Sequence, residues 1–486
     1  MKRPLLVFLL LAALPAAAQN PVLPPEVAKF VRVSAPVVAL THVRVIDGTG
    51  APARDDQTIV ISAGKIQAVG AAATVALPAG AQVLDLAGYT VLPGLVGMHN
   101  HLYDSAWLNR DPATGRLLPP GFIVTEIPYT APRLYLAAGV TTLRTTGDVD
   151  GYTDLEVKRQ IDTGEVPGPS IDATAPYLEG PGSIFPQMHQ LSGPGDARRL
   201  VDYWAGEGAT SYKAYMNITR DELGAAIQEA HQRGFKLTGH LCSVTWPEAI
   251  ALGIDDLEHG PVFTDTEFVA GKQPDKCPGA GAGSAAWGKQ DVSGPEVQGL
   301  IRDLVAHHVA VTSTLPVFEA STLNAPPNPR ALEAMAPSQL ESFLAARAGV
   351  TPEGNARTTA LLKKEMEFER AFVQAGGLLL AGPDPTGNGG TIPGFGDWRE
   401  LELLVQAGFT PLEAIKIASY NGAQYLGRLD QIGSIAAGKQ ADLVVVHGDP
   451  ATTIADIEKA EIVFRNGVGY DSAKLFESVR GQVGVH

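Results

Sequence analysis

Short stretches in which apolar and polar residues alternate lie near both ends of the chain, and they predict β-strands. Near the N-terminus they cover residues 41–46, 58–61 and 66–69, the last two joined by a turn. Near the C-terminus they cover residues 441–446 and 462–465, and the second leads into Asn466-Gly467, a pair typical of two-residue hairpins. We therefore predict one small β-sandwich domain built from both termini, residues 19–93 and 432–486.

The middle of the chain has a different pattern, in which apolar runs alternate with helical stretches such as residues 220–233 and 246–252. Eight such repeats predict an α/β fold, a (β/α)8 TIM-like barrel over residues 94–431. A doubly wound open sheet is the alternative. The predicted strands end at residues 99–101, 143–145, 171–173, 212–214, 237–240, 257–259, 311–313 and 380–382.

The first 18 residues resemble a signal peptide. Lys2 and Arg3 precede an apolar stretch at residues 5–14, and the small residues 16–18 form a cleavage site before Gln19. The apolar stretch is too short for a permanent membrane span, and no second long one follows. We expect an exported protein, periplasmic or secreted, without a stable membrane anchor; a buried N-terminal core helix is the alternative.

Net charge argues against a nucleic-acid partner. The whole chain carries a formal charge of −15, and removing the signal peptide leaves 35 basic and 52 acidic residues, or −17. Such a surface repels polyanions. The composition, 45% hydrophobic and 18% charged, is that of a globular enzyme. The expected partner is a small-molecule substrate. Whether the chain forms a homo-oligomer is left open.

The chain has two cysteines, Cys242 and Cys277. Export would permit a disulfide between them, because oxidising compartments allow such bonds to persist. Two free, buried thiols are the alternative. No Cys-x-x-Cys pair occurs, so a structural zinc site built from cysteines is not indicated.

Residues able to bind metal follow several of the predicted strands. Barrel active sites lie at the carboxyl ends of the strands, and two residues of an extended strand that are two positions apart face the same side. The candidates are His99, His101, Lys213, His240, His259 and Asp384. Taken alone, each has an ordinary structural explanation, such as a hydrogen-bonded core histidine or a turn aspartate. Six other histidines lie in helical or terminal regions and are expected to be structural or surface groups: His42, His231, His307, His308, His447 and His486.

Three motifs together resemble the amidohydrolase superfamily, near its imidazolonepropionase-like and prolidase-like members. Residues 87–101 resemble the family's opening signature, residues 256–260 its sixth-strand motif, and residues 433–443 the return into the β-domain. The resemblance covers nearly the whole mature chain. It implies a pair of divalent metal ions, zinc by default, bridged by a lysine that carbon dioxide has carboxylated.

The resemblance also implies a role for each candidate. His99, His101 and Asp384 would bind the more buried metal, His240 and His259 the second, and carboxylated Lys213 would bridge both. A bridging hydroxide would attack the substrate carbonyl, and Asp384 would transfer its proton to the leaving amine. The expected reaction is hydrolysis of an amide in a small peptide, an N-acyl amino acid or an aryl amide.

Substrate specificity is less well defined by the sequence. Deaminases of the superfamily commonly carry a glutamate where this chain has Ser243, which argues against deamination. His189, in a loop after the third strand, is expected to steady the substrate carbonyl, as in some relatives; a solvent-facing polar residue is the alternative. A lactonase or phosphotriesterase and a catalytically silent binding protein are the other functions considered.

Overall fold

A computed structural model describes residues 23–110, 114, 117–324, 327–387 and 389–484. The predicted signal peptide lies outside the described residues. The strands are β1 (Val31–Val33), β2 (Val37–Val45), β3 (Arg54–Ser62), β4 (Lys65–Ala71), β5 (Gln82–Asp85), β6 (Tyr89–Pro93), β7 (Leu95–Gly97), β8 (Asp104–Arg110), β9 (Leu117–Glu126), β10 (Val140–Arg144), β11 (Ser170–Asp172), β12 (Ser211–Ala214), β13 (Lys236–Gly239), β14 (Asp256–Glu258), β15 (Ala310–Ser313), β16 (Leu379–Ala381), β17 (Leu443–His447), β18 (Ala460–Arg465) and β19 (Val468–Asp471).

The α-helices of the described residues are α1 (Pro25–Ala28), α2 (Ala131–Ala137), α3 (Gly151–Asp162), α4 (Pro194–Glu207), α5 (Arg220–Gln232), α6 (Trp246–Leu252), α7 (Pro261–Thr264), α8 (Ala280–Trp287), α9 (Pro295–Ala306), α10 (Leu315–Glu319), α11 (Pro329–Ala334), α12 (Pro337–Ala348), α13 (Pro352–Gln374), α14 (Phe395–Gln406), α15 (Pro411–Lys416), α16 (Gly422–Tyr425) and α17 (Ser472–Glu477). A π-helix, Ile417–Asn421, and a 3-10 helix, Ile454–Lys459, complete the helical segments. No helix in the described part of the chain is long and apolar enough to cross a membrane.

One nine-stranded sheet combines strands from both ends of the chain. Its order is β1-β19-β18-β17-β6-β2-β3-β4, and β5 pairs with β2. The two ends meet where β6 runs antiparallel to β17. The β18–β19 turn has Asn466 and Gly467 at φ 49° and 80°, the positive values that the predicted hairpin requires. A sheet from both termini is therefore present, whereas the predicted domain boundaries stay predictions.

All eight strands predicted for the middle of the chain are present, and they are parallel. They form a three-stranded sheet, β11-β10-β7, and a five-stranded sheet, β12-β13-β14-β15-β16. Thr174 pairs with Ser211 beside one junction between the two sheets. At the other junction, the Met98 amide donates a 2.8 Å hydrogen bond to the Ala381 carbonyl. The architecture is a mixed α/β fold whose parallel strands form two sheets rather than one continuous ring of ladders.

Helix capping explains where two helices beside the site begin. Thr219 and Glu222 form a capping box at the start of α5, and Thr245 and Glu248 do the same for α6. Both helices start at the residues predicted from the sequence. The hairpin of β8 and β9, which follows the first parallel strand, was not anticipated from the sequence.

Candidate metal site

Three candidate ligands meet just beyond the carboxyl ends of β7 and β16. The Oδ1 atom of Asp384 lies 3.3 Å from the Nε2 atoms of both His99 and His101. All three residues are buried, and one ligand atom from each lies within 4.8 Å of the others. Among the described residues, this is the one group of histidines, cysteines and acids compact enough to hold a metal ion.

Close contact between the first and last parallel strands brings these ligands together. A Cβ added at Gly382 would lie 2.4 Å from the His99 backbone nitrogen, so only glycine permits this approach. The Asp384 amide also donates a 3.1 Å hydrogen bond to the His99 carbonyl. The two ends of the parallel-strand region therefore position one ligand set through backbone contact.

The other three candidates surround the same point. Lys213 Nζ lies 3.3 Å from His99 Nε2. His259 Nδ1 lies 3.6 Å from Asp384 Oδ2, and the His259 ring centroid is 4.4 Å from that of His99. The His240 ring in turn packs 4.6 Å from that of His259. The structure thus brings all six residues proposed from the sequence into one connected cluster, hereafter the ligand cluster.

Neighbouring side chains fix the orientation of three of the imidazole rings. Such contacts determine which ring nitrogen carries the proton. They also orient the other nitrogen, which keeps its lone pair, towards a metal ion. In each case the contact is made at Nδ1, and for His99 and His101 it leaves Nε2 facing Asp384. The pairs are His99 with Glu258 at 2.6 Å, His101 with Asp104 at 3.3 Å and His259 with Thr314 at 2.8 Å.

Glu258 belongs to a buried polar network beneath the ligand cluster. The Arg144 guanidinium donates to Glu258 and to Asp256, at 2.8 and 2.9 Å, and its Nε donates to the Met98 carbonyl. The Thr238 hydroxyl donates to Glu258 at 2.6 Å. Burial raises the pKa of Glu258, but His99 and Arg144 outweigh that effect and lower it to about 2. Glu258 is therefore ionised and able to accept a hydrogen bond from His99 Nδ1.

Electrostatic conditions favour neutral nitrogen ligands beside an ionised carboxylate. Burial lowers the pKa of Lys213, and burial together with Lys213 lowers the pKa of His240 to about 3. Burial alone would raise the pKa of Asp384, but the neighbouring histidines His99 and His101 bring it well below its ordinary value. Neutral imidazoles and ionised carboxylates are the forms that bind divalent metals.

Unpartnered atoms in the ligand cluster fit a cation. With Nδ1 of His99 and of His101 facing carboxylates, both Nε2 atoms converge on Asp384 Oδ1, an arrangement that a metal cation bound between them would stabilise. Asp384 Oδ1 and His259 Nε2 are buried, and neither atom has a hydrogen-bond partner among the described residues. His259 and Asp384 also have positive φ angles, 67° and 53°, a strained conformation common at functional sites. Imidazole and carboxylate ligands suit zinc, manganese or iron.

His189 lies apart from the ligand cluster. Its side chain is 51% exposed and pairs with Asp196 at 2.9 Å. It lines a cavity together with Asp148 and Tyr177. Among the described residues, no hydrogen bond, ion pair or ring contact joins it to the six candidate ligands, so the suggested contact with the substrate carbonyl stays a prediction.

Cys242 and Cys277 are joined by a disulfide, with Cα atoms 4.8 Å apart. Cys242 follows the candidate ligand His240 by two residues, and Cys277 precedes α8. The bond thus attaches the segment before α8 to the end of the strand that carries a ligand.

Comparison with known proteins is consistent with this site. The amidohydrolase family model matches residues 90–269 and 349–468, more than half of the chain. Among solved structures, a bottromycin amidohydrolase is 21% identical with a TM-score of 0.67, covering 94% of each chain. A Xaa-Pro dipeptidase with bound methionine is 20% identical with a TM-score of 0.65, covering 90% of this chain and 100% of its own. Ochratoxinase from A. niger is 18% identical with a TM-score of 0.62, covering 93% and 100%.

No curated protein matches the chain significantly. The three structures are similar to this chain in fold, and the family model extends across the strands that carry all four candidate histidines, Lys213 and their connecting helices. The family match and the geometry of the ligand cluster lead to one conclusion: the chain belongs to the amidohydrolase family.

Proposed function

We propose that this protein is an exported metal-dependent hydrolase that cleaves an amide bond in a small peptide, an N-acyl amino acid or an aryl amide. The convergence of His99, His101 and Asp384 on one buried point carries the proposal. The comparison proteins named as a Xaa-Pro dipeptidase, an ochratoxinase and a bottromycin amidohydrolase support an amide-type substrate.

The proposed site binds two metal ions, with zinc the default. His99, His101 and Asp384 would hold one ion, and His240 and His259 the other. Lys213 would bridge them after its neutral amine attacks carbon dioxide, forming an N–C bond and releasing one proton. Burial favours the neutral amine that this step requires, and no carboxylate lies within 4.0 Å of Lys213 Nζ among the described residues.

The ions, when bound, would lower the pKa of a water molecule and polarise the scissile carbonyl. Asp384 accepts the proton of the attacking water and then donates it to the leaving nitrogen, which an amine requires because it is a poor leaving group. Glu258 holds the His99 ring in place through its Nδ1 atom. Burial of the cluster excludes competing water molecules and strengthens each charge interaction.

The two parallel sheets are proposed to be two arcs of one (β/α)8 barrel with a β-sandwich domain beside it. The Met98–Ala381 hydrogen bond and the Thr174–Ser211 pair support this arrangement, because they join the sheets at both junctions. Cleavage before Gln19 is part of the proposal. N-terminal sequencing of protein recovered from outside the cytoplasm should begin at Gln19. Retention of Met1 would contradict cleavage, and recovery of the protein from the cytoplasm alone would contradict export.

The full chain, loaded with zinc, should be assayed against dipeptides, N-acyl amino acids, aryl amides, lactones and phosphotriesters, with metal content measured in parallel. We expect amide hydrolysis and about two ions per chain. Cleavage of lactones or phosphotriesters without any amide would favour the second candidate function, supported by the same ligand chemistry. Absence of metal binding would contradict the proposal, and metal binding without any turnover would favour a silent binding protein.

A further inference from the structure

Tyr215 lies just past the carboxyl end of β12, two positions after Lys213. Its amide donates a 2.9 Å hydrogen bond to the Leu178 carbonyl, so the extended backbone continues beyond the strand. Residues two apart on an extended strand face the same side. Lys213 and Tyr215 therefore both face the ligand cluster. Tyr212 faces the opposite side, where its hydroxyl donates to the Val201 carbonyl of α4.

The Tyr215 ring packs against one of the candidate ligands. Its centroid lies 4.9 Å from that of the His240 ring and 5.9 Å from Lys213 Nζ. Tyr177 and Phe185 also contact the ring, with centroids 4.6 and 6.3 Å away. These contacts hold Tyr215 beside the half of the ligand cluster that is assigned to the second metal ion.

The hydroxyl group of Tyr215 differs from those of other tyrosines around the ligand cluster. Tyr103 donates to the Gly389 carbonyl and Tyr135 to the His101 carbonyl, so both of these hydroxyls stabilise the fold. The Tyr215 hydroxyl has no hydrogen-bond partner among the described residues, and the residue is only partly buried. It is thus a hydrogen-bond donor beside the candidate ligands that is available to a substrate.

Hydrolysis of an amide places negative charge on the carbonyl oxygen, and a donor aimed at that oxygen stabilises the charge. In the proposed site Asp384 is a carboxylate, and His240 and His259 direct nitrogen lone pairs at a metal ion. His189, predicted for contact with the carbonyl, pairs with Asp196. A neutral phenol suits this role, because it donates a hydrogen bond without adding a positive charge beside the metal ions.

We infer that Tyr215 is a catalytic residue whose hydroxyl donates a hydrogen bond to the carbonyl oxygen of the scissile amide as negative charge develops there. The inference rests on the proposed function and adds a donor to its six candidate ligands. The bond to the charged oxygen is stronger than the bond to the neutral carbonyl. The hydroxyl therefore stabilises the transition state more than the bound substrate, and its proton stays on the tyrosine throughout.

Tyr215→Phe keeps the ring against His240 and removes only the hydroxyl. The test uses the zinc-loaded full chain and the amide that it hydrolyses fastest. We expect kcat to fall by about 10²-fold, the lower end of the range for loss of one such donor, with KM unchanged within about twofold. Metal content should stay at that of the unmodified protein, because no ligand is altered. A kcat within about twofold of the unmodified value, or a loss of metal that accounts for the lower rate, would overturn the inference.

Tyr212→Phe is the matched control, because it removes a hydroxyl from the same strand on the side that faces α4. It should keep kcat, although the loss of a buried hydrogen bond should lower its melting temperature. Tyr177→Phe tests the neighbouring tyrosine, whose ring lies 5.4 Å from Lys213 Nζ. This variant should also keep kcat. A loss of rate in Tyr177→Phe that is absent from Tyr215→Phe would contradict the assignment.

A binding measurement separates this inference from the proposed reaction. Methylphosphonate has tetrahedral, negatively charged oxygens, as the intermediate of amide hydrolysis does. Calorimetry with the zinc-loaded full chain should show binding that Tyr215→Phe weakens about tenfold or more and that Tyr212→Phe leaves unchanged. If no amide is hydrolysed but this pattern is found, the proposed function fails and Tyr215 remains an oxyanion donor. If amides are hydrolysed and Tyr215→Phe changes neither kcat nor methylphosphonate affinity, the inference fails and the proposed function stands.

Discussion

Two buried groups of titratable residues lie close to the adjacent residues His259 and Gly260, and their ionisation states differ. The ligand cluster combines imidazoles, an amine and a carboxylate. The other group, hereafter the glutamate cluster, consists of Glu365, Glu369 and Glu400, all at most 1% exposed. Among the described residues it contains no basic side chain, and each glutamate has at least one oxygen without a hydrogen-bond partner.

The difference shows how surroundings decide whether a buried acid is ionised. Burial opposes ionisation in both places, but histidines outweigh it at Asp384 and lower that pKa well below its ordinary value. Burial raises the pKa of Glu369 to about 8; burial, with Glu369 adding to the effect, also raises the pKa of Glu365 well above its ordinary value. The ligand cluster therefore contains an ionised carboxylate that can bind a metal ion, while the buried glutamates are protonated.

The largest expected effect is that of Lys213→Ala. It should remove nearly all activity and much of the bound metal, because the proposed bridging group is lost. Short carboxylic acids added with metal should restore part of the activity by occupying the same space. Metal content and kcat measure this, with Lys289→Ala, an exposed lysine, as control. Full activity and full metal content in Lys213→Ala would refute the bridging role.

Asp384→Asn should lower kcat by about 10²- to 10⁴-fold, the range for loss of a positioned acid–base group. The amide keeps the size of the side chain, so circular dichroism should report an unchanged fold. The measurement is kcat for the best amide substrate across pH. A rate equal to that of the unmodified enzyme would eliminate Asp384 as the proton carrier.

Gly260→Ala should damage both clusters at once. Gly260 has φ 77°, and an added Cβ would lie 1.9 Å from Glu365 Oε1. We expect a loss of about 1–3 kcal/mol in unfolding free energy, the range for overpacking a core, and lower metal affinity because His259 is adjacent. Gly206→Ala, in α4 with no atom within 4 Å of the added Cβ, is the control and should be neutral or stabilising. Equal stability of the two variants would show that the close packing of Gly260 against Glu365 does not connect the two clusters.

Glu369→Gln should change the pH dependence of stability. The folded pKa of about 8 lies above the ordinary value of 4.5, so the native state binds more protons than the unfolded state between these pH values. Stability of the unmodified protein should therefore fall as pH rises from about 5 to 8, by up to about 1.4 kcal/mol per pH unit for one group. The variant should lose part of this slope.

Denaturant unfolding at several pH values measures that slope. Glu367→Gln, at an exposed position of the same helix α13, should keep it. A slope that is identical in Glu369→Gln and the unmodified protein would show that Glu369 is ionised in the folded state, and the contrast between the two clusters would then disappear.

Sequence patterns determined much of the ligand cluster. The eight parallel strands follow from apolar runs of strand length, and side chains at their carboxyl ends must meet on one side of the fold. All six candidate ligands could be located in this way, because each lies in or shortly after one of five parallel strands, with His99 and His101 following the same strand. His189 was predicted from its loop position and from a loop histidine of some relatives; the structure pairs it with Asp196, and its contact with the substrate carbonyl stays a prediction. Loop position is a weak guide because a loop can turn its side chains in several directions.

The sequence pattern could not predict contacts between residues that are far apart in the chain. His99 and Glu258 are 159 residues apart, and Glu258 was considered only as the neighbour of a ligand. The β8–β9 hairpin lies where no alternating apolar pattern was detected, so the pairing of Asp104 with Glu126 could not be anticipated. The glutamate cluster combines residues of α13 and α14. From the sequence alone, these glutamates would be taken for solvent-exposed residues of a helix.

The sequence by itself determined which elements form and which chemistry lies at their ends, because local periodicity and motif residues act over a few neighbouring positions. Tertiary structure alone decided which acids keep a proton, which orient an imidazole ring and which have an oxygen without a hydrogen-bond partner. The physical reason is that pKa values and hydrogen-bond partners depend on burial and on charges a few ångströms away in space, and these neighbours come from distant parts of the chain.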